Sequence, residues 1–354
     1  MKNTILFLIT IVLLGFNACK PEDEPLILSG ISFQEKDISI EEGKEHDIKF
    51  KLEPVGVVAD IVWTSTNEKV ATVENGVIKA LSRGSSNIRA TAGEFTSTMT
   101  VNVTRTDKDY VLVWSDEFDG TELNSNNWTI ETGGNGWGNQ EKQNYTNRSE
   151  NLRLENGHLT IEARKEKFGN NDYTSARIMS KNKVSYKYGK FEARISLPAG
   201  AGTWPAYWMM GQNIDIARWP LCGEIDIMEH VGSQPRMISH ATHTSEKNGS
   251  RGNNWHWQRN FDFEVENNFV TYAIEWEERA NEGYDNISFY VNGVKSTTIW
   301  EPVNATVQQW PFKQEFFIIL NLALGGTMGG TIDDKIFDNP VIMKVDYVRV
   351  YQRK

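Results

Sequence analysis

Cysteine is nearly missing. Cys19 and Cys222 are the two in 354 residues, too few for a disulfide framework. Long helical periodicity is missing as well, which points away from helical architectures. Positive charge is in deficit: 37 Lys and Arg stand against 47 Asp and Glu, a formal net charge of −10. That balance argues against nucleic acid as a partner. No Gly-rich phosphate loop, His/Cys metal cluster, Ser-His-Asp arrangement or internal repeat is legible. The apolar run Ile5–Leu14 is too short to span a membrane as a stable helix.

Tryptophan, by contrast, is abundant: there are 12. Several crowd around Gly223-Glu224-Ile225-Asp226-Ile227-Met228-Glu229-His230. Side chains alternate faces along a strand. Glu224 and Asp226 therefore share one face, and Ile225 and Ile227 take the other. Glu229 falls on the apolar face unless a β-bulge around Ile227-Met228 returns it to the acidic side. Three carboxylates on one face repel each other and raise at least one pKa. An ionised carboxylate beside a protonated carboxyl is the equipment for cleaving a glycosidic bond. A solvated acidic strand face would read similarly, but its neighbours here are tryptophans rather than Lys and Thr. Trp204, Trp208 and Trp219 lie upstream, Trp255 and Trp257 downstream. Aromatic faces pack against the C–H faces of a pyranose ring. Core packing remains open for Trp208.

The N-terminus reads as an export signal. Met1-Lys2 and the run Ile5–Leu14 form a secretory signal peptide over 1–19. Its end, Gly15-Phe16-Asn17-Ala18-Cys19, resembles a bacterial lipobox, which implies acylation of Cys19 and a membrane anchor. With Cys19 lipidated, no intramolecular disulfide is available, and Cys222 is expected to pack beside the site. Residues 20–29 form a polar tether. Its acidic run Glu22-Asp23-Glu24 resembles the export signal of surface lipoproteins in Bacteroidetes. The expected location is the outer surface of a Gram-negative cell rather than the periplasmic face.

Residues 30–104 read as a small all-β domain. Asn75-Gly76 between apolar runs signals a hairpin. Trp63-Thr64-Ser65-Thr66-Asn67, Val70-Ala71-Thr72-Val73 and the closing Ile88-Arg89-Ala90-Thr91 resemble the bacterial Ig-like group 2 domain. The resemblance implies a β-sandwich, read here as a spacer.

After the polar link Arg105–Asp109, residues 108–354 are again almost wholly β. Asn156-Gly157 and Asn292-Gly293 mark hairpins, and Phe316–Leu322 reads as a strand buried on both faces. Strands and loops at this length suit a two-sheet β-jelly roll. The whole chain is expected to be all-β and monomeric.

Ordered motifs of this region are similar to those of glycoside hydrolase family 16, in its laminarinase-like branch. They are Trp114-Ser115-Asp116-Glu117-Phe118, Gly136-Trp137-Gly138-Asn139-Gln140-Glu141, Ser175-Ala176-Arg177-Ile178, Trp204-Pro205-Ala206-Tyr207-Trp208, the acidic strand with its extra Met228, and Asp346-Tyr347-Val348-Arg349. The resemblance implies a retaining endo-hydrolase. Glu224 would be the nucleophile, Glu229 the general acid/base, and Asp226 the group holding the nucleophile's proton state. Such a pair needs carboxyls about 5–5.5 Å apart. It also implies His243 near the acid/base, and Asn135 and Arg177 on the sugar. His230 is expected on the other face, and His158 in solvent.

No cofactor is implied for catalysis. A structural calcium is implied at Glu117, the backbone of Gly157 and Asp346, since oxygen ligands from distant segments suit this ion. Gly325–Gly330 and Gln143-Asn144-Tyr145 depart from the branch's usual pattern and leave linkage preference open. The expected partner is β-1,3-glucan or mixed-linkage β-1,3-1,4-glucan. Another polysaccharide, such as agarose or a carrageenan-type galactan, and a non-catalytic lectin remain as alternatives.

Overall fold

The computed structural model describes residues 25–82, 84–104, 110–278 and 284–353. The signal peptide, Cys19, the start of the tether and the 105–109 link lie outside the described residues. The chain divides into two compact units, Met1–Thr106 and Asp107–Lys354. Among the described residues no helix is long and apolar enough to cross a membrane.

The first unit is built from short strands. One sheet orders Asp37–Glu41, Phe95–Thr104, Gly84–Ala92 and Val62–Ser65; a second orders Glu45–Asp47, Val77–Ala80 and Ala71–Glu74. Gly30–Phe33 pairs with Phe50–Glu53. Alternating residues bury Ile88, Met99, Val101 and Val103 against Ile40, Ile48, Val70 and Ile78. The Asn75-Gly76 turn has φ of 51° and 81°. Two positive values in a row are what a tight hairpin needs, and these residues tolerate them.

The second unit is a sandwich of a ten-stranded and an eight-stranded sheet. Both Asn-Gly hairpins form as expected, between Leu152–Glu155 and His158–Phe168 and between Asn286–Val291 and Val294–Trp300. The ten-stranded sheet is centred on Val341–Arg353, flanked by His158–Phe168 and Gly189–Ser196. The eight-stranded sheet runs Thr129–Glu131, Arg177–Met179, Phe316–Leu324, Thr203–Gly211, Glu224–Glu229, Met237–His243, Trp255–Asn260, with Ser185–Tyr186 also paired to Phe316–Leu324. All nine residues of Phe316–Leu324 are buried, which fits a central strand covered on both faces.

The core lies between the sheets. Ile225, Ile227, Met228, Tyr207 and Met209 reach into it, as do Phe191, Ile274 and Phe289 from the other sheet. Burying such side chains contributes about 1.5–3 kcal/mol each. The opposite face of the eight-stranded sheet is left free to form a cleft.

Candidate active site

A cleft of about 930 Å³ lies on that outer face. Strand alternation decides who enters it. From Thr203–Gly211 the residues Trp204, Ala206, Trp208 and Met210 line the cleft, while Tyr207 and Met209 go to the core.

The acidic strand keeps this rule only because it is bulged. Against Thr203–Gly211, Met228 pairs with Tyr207 and Asp226 with Trp208, so Ile227 is passed over. Against Met237–His243, Asp226 pairs with Ala241 and Glu229 with Ser239. Two residues, Ile227 and Met228, thus stand opposite one, His240. The bulge sits where the sequence placed it. Ile225, Ile227 and Met228 are all buried in the core, and Glu224, Asp226 and Glu229 all line the cleft.

Each flanking glutamate is held by an indole. Trp219 Nε1 donates to Glu224 Oε2 at 2.8 Å, and Trp204 Nε1 donates to Glu229 Oε1 at 3.0 Å. Trp204 is 8% exposed and Trp219 37%. Burial pushes the Glu229 carboxyl up to about 7, against the lowering effect of the Trp204 hydrogen bond and of His243. Glu229 is therefore poised to hold a proton near neutrality. Asp226 is 4% exposed. Burial, then the adjacent Glu224 charge, raises its pKa well above the usual range. Asp226 therefore tends to keep its proton.

His243 pairs in register with Glu224, as hairpin spacing suggested. Its Nε2 lies 3.2 Å from Asp226 Oδ2 and 3.7 Å from Glu224 Oε1. Burial pulls its pKa down, but Asp226, Glu224 and Glu229 together push it up to about 9. The Gly249 amide opposes a second proton, because it donates to Nδ1 at 2.9 Å. To become a full imidazolium the ring would have to give up that bond. With Nδ1 accepting from Gly249, Nε2–H faces Asp226.

Arg177 lines the cleft as expected. Its guanidinium lies 4.7 Å from the Trp137 ring centre and 4.9 Å from that of Trp208, and Nε donates to Glu131. Trp208 lines the cleft while Nε1 donates to Asn321 Oδ1 at 2.7 Å.

Asn135 is exposed, at the start of the Gly136–Gly138 turn. Trp137, Gly138 and Asn139 line the cleft in its place. The turn carries the chain inward only after Asn135, helped by positive φ at Gly136, Trp137 and Gly138. Nor do Trp255 and Trp257 line the cleft. Trp255 stacks on Phe289 at 5.4 Å, and His256 between them faces the sugar side. His230 is buried toward Glu266 and the Met237 carbonyl, off the acidic face as expected. His158 is not solvated as expected: it stacks on Phe269 at 4.9 Å. Cys222 is fully buried and packs beside Met210 and Phe317. Burial, its largest cause, pushes the thiol up to about 12.

Sequence reasoning missed a buried polar chain under the cleft. Glu141 is 7% exposed and accepts from Gln143 Nε2 at 2.6 Å and Tyr145 OH at 3.0 Å. Burial raises its pKa. Asn321 Nδ2 donates to Tyr145 OH at 3.1 Å and joins this chain to Trp208. The available signal was a Glu within the Gly-Asn-Gln-Glu stretch, with Gln143 and Tyr145 only two and four positions on; Asn321, which ties them to Trp208, lies too far along the chain to be read.

The calcium donor set fits poorly. Arg349 holds both oxygens of Glu117, at 3.0 and 2.8 Å. Arg194 holds Asp346 at 2.6 Å. A dication would have to displace two guanidinium groups from the carboxylates meant to bind it.

Known proteins resemble this chain in sequence and fold. The family described as glycosyl hydrolases family 16 matches residues 139–347. A second family, beta-glucan synthesis-associated protein SKN1/KRE6/Sbg1, matches residues 50–218. The chain is 43% identical over 250 residues to a beta-glucanase of Rhodothermus marinus, covering 68% of this chain and 85% of that one. It is 38% identical over 227 residues to a glucan endo-1,3-beta-glucosidase of Cryptopygus antarcticus, covering 62% and 83%. Among solved structures, a laminarinase from Flavobacterium sp. UMI-01 superposes with a TM-score of 0.62 at 41% identity, covering 68% of this chain and all of that one. With the bulged acid strand in its cleft and these likenesses along the second unit, the chain belongs to glycosyl hydrolases family 16.

Proposed function

We propose that this protein is a retaining endo-β-1,3-glucanase, acting on laminarin-type β-1,3-glucan or on mixed-linkage β-1,3-1,4-glucan. One observation carries the reading: Glu224 and Glu229 enter one cleft, each gripped by a tryptophan N–H, with burial holding the Glu229 proton near pH 7. Glu229 gives that proton to the glycosidic oxygen while Glu224 attacks the anomeric carbon. The leaving chain departs and a glycosyl-Glu224 ester remains. Glu229, now a carboxylate, takes a proton from water, and that water breaks the ester. Protonated Asp226 stays neutral beside Glu224, so it sets no second negative charge against the nucleophile as the ester forms and breaks. The indoles of Trp204 and Trp219 supply flat apolar faces for sugar rings. A cleft on a sheet face accepts internal positions of a chain, which supports endo cleavage.

The test is product analysis on laminarin, barley β-glucan, agarose and carrageenan. Oligosaccharides are expected from one or both glucans. Products from the galactans alone would overturn the substrate and keep the mechanism. Binding without hydrolysis would mean a lectin.

The first unit supports a second part of the proposal, an Ig-like spacer that holds the enzyme off a lipid anchor at Cys19. The apolar run ending in a small residue before that cysteine supports it. Two or more acyl chains are enough for stable anchoring. Cys19→Ser should move the protein from the outer-membrane fraction to a soluble one. A variant still in the membrane fraction would mean that something else attaches it.

A further inference from the structure

The bulge creates a debt in the backbone that the ladders do not settle. Ile227 has no register partner in Thr203–Gly211 and none in Met237–His243. The extra residue of a bulge is left unpaired and disrupts the ladder locally, here in a buried place: Ile227 is 0% exposed. A buried carbonyl without a donor is costly. The single residue facing the bulge is His240, also 0% exposed. Its Nδ1 lies 2.7 Å from the Ile227 carbonyl oxygen. An oxygen accepts, so Nδ1 must carry the ring proton.

We infer that His240 is a positioning residue for Glu229: its Nδ1–H satisfies the carbonyl that the bulge leaves over, and so holds the strand in the register that turns Glu229 into the cleft. The inference rests on Glu229 being the acid/base.

The surroundings support it. The ring packs on Phe289 at 4.9 Å, in the apolar core, where a leucine or phenylalanine would fit without a polar atom. Its Nε2 is buried with no hydrogen-bond partner among the described residues. The ring thus has one polar task, at Nδ1. Burial, against the raising effect of the Ile227 contact and with a further lowering by His256, brings its pKa down to about 4, so the neutral form persists while the enzyme works. No solvent reaches the carbonyl to take the ring's place. Without the donor, the strand relieves the carbonyl by slipping one residue. A slip of one flips every side chain, and Glu229 turns toward the core.

His240→Leu keeps the bulk and removes the donor; His240→Asn places an amide N–H about where Nδ1–H stands. On the glucan that the wild type cleaves, His240→Leu should lose roughly 10²-fold in kcat, the cost of a misplaced catalytic group, with KM little changed. Its alkaline limb should move, because Glu229 changes surroundings. His240→Asn should recover most of the kcat. Equal losses in both variants would reduce His240 to packing, and a folded His240→Leu with wild-type kcat and pH profile would overturn the inference outright. ¹⁵N NMR of the wild-type ring decides it without activity: a proton on Nδ1 supports the inference, and a proton on Nε2 sinks it. If the wild type hydrolyses nothing, the functional reading fails while the ring measurement still stands.

Discussion

With Glu224 replaced by glutamine, hydrolysis of β-glucan should fall by roughly 10⁴-fold or more, the scale of losing an enzyme's nucleophile. The amide has no charge with which to attack the anomeric carbon. It still accepts the Trp219 N–H that Glu224 accepts at 2.8 Å, so the cleft should keep its shape. The substrate should therefore bind about as before, and the loss should lie in kcat. Azide separates this from unfolding. In Glu224→Ala, where the side chain is gone, this small anion fits the vacated position, attacks from the same face and yields an α-glycosyl azide, inverted relative to the substrate. A Glu224→Gln enzyme that keeps a tenth of its activity would remove Glu224 from the nucleophile's place.

Glu229→Gln should cost roughly 10²–10⁴-fold on glucan, the usual worth of a general acid. The two variants differ in what rescues them. An aryl β-glucoside with a good leaving group needs no proton, so Glu229→Gln should still form the glycosyl-enzyme and then stall. Azide should release it as a β-glycosyl azide with retained configuration. The pH profile adds a second reading. Burial raises the Glu229 pKa to about 7, and the acid must be protonated to act. Activity should be full below that value and fall as pH rises through it, and in Glu229→Gln this alkaline limb should disappear. A limb unchanged in the variant would assign it to another group.

Much of the site was legible because its grammar is local. The three acids, their alternation with Ile225 and Ile227, and the need for a bulge at Ile227-Met228 follow from a period of two and one extra residue. The Asn-Gly hairpins were equally local, since those residues tolerate positive φ. Distance along the chain is where local reading stops. For Asn135 the motif reaches only the start of the Gly136–Gly138 turn, whose next residues enter the cleft. His158 was read as solvated because it sits next to a hairpin turn. Its partner, Phe269, is more than a hundred residues away.

The all-β architecture, the acid strand and its bulge could be read along the chain, because strand faces and turns depend on neighbours within a few residues. Tertiary structure alone decided the state of those acids. Which indole grips which glutamate, why Glu229 holds its proton, and what feeds the carbonyl of Ile227 all depend on burial and on partners from other strands. Trp204 meets Glu229 across 25 positions, and Tyr145 meets Asn321 across 176. Desolvation and hydrogen bonding act through space, and no spacing along the chain records them.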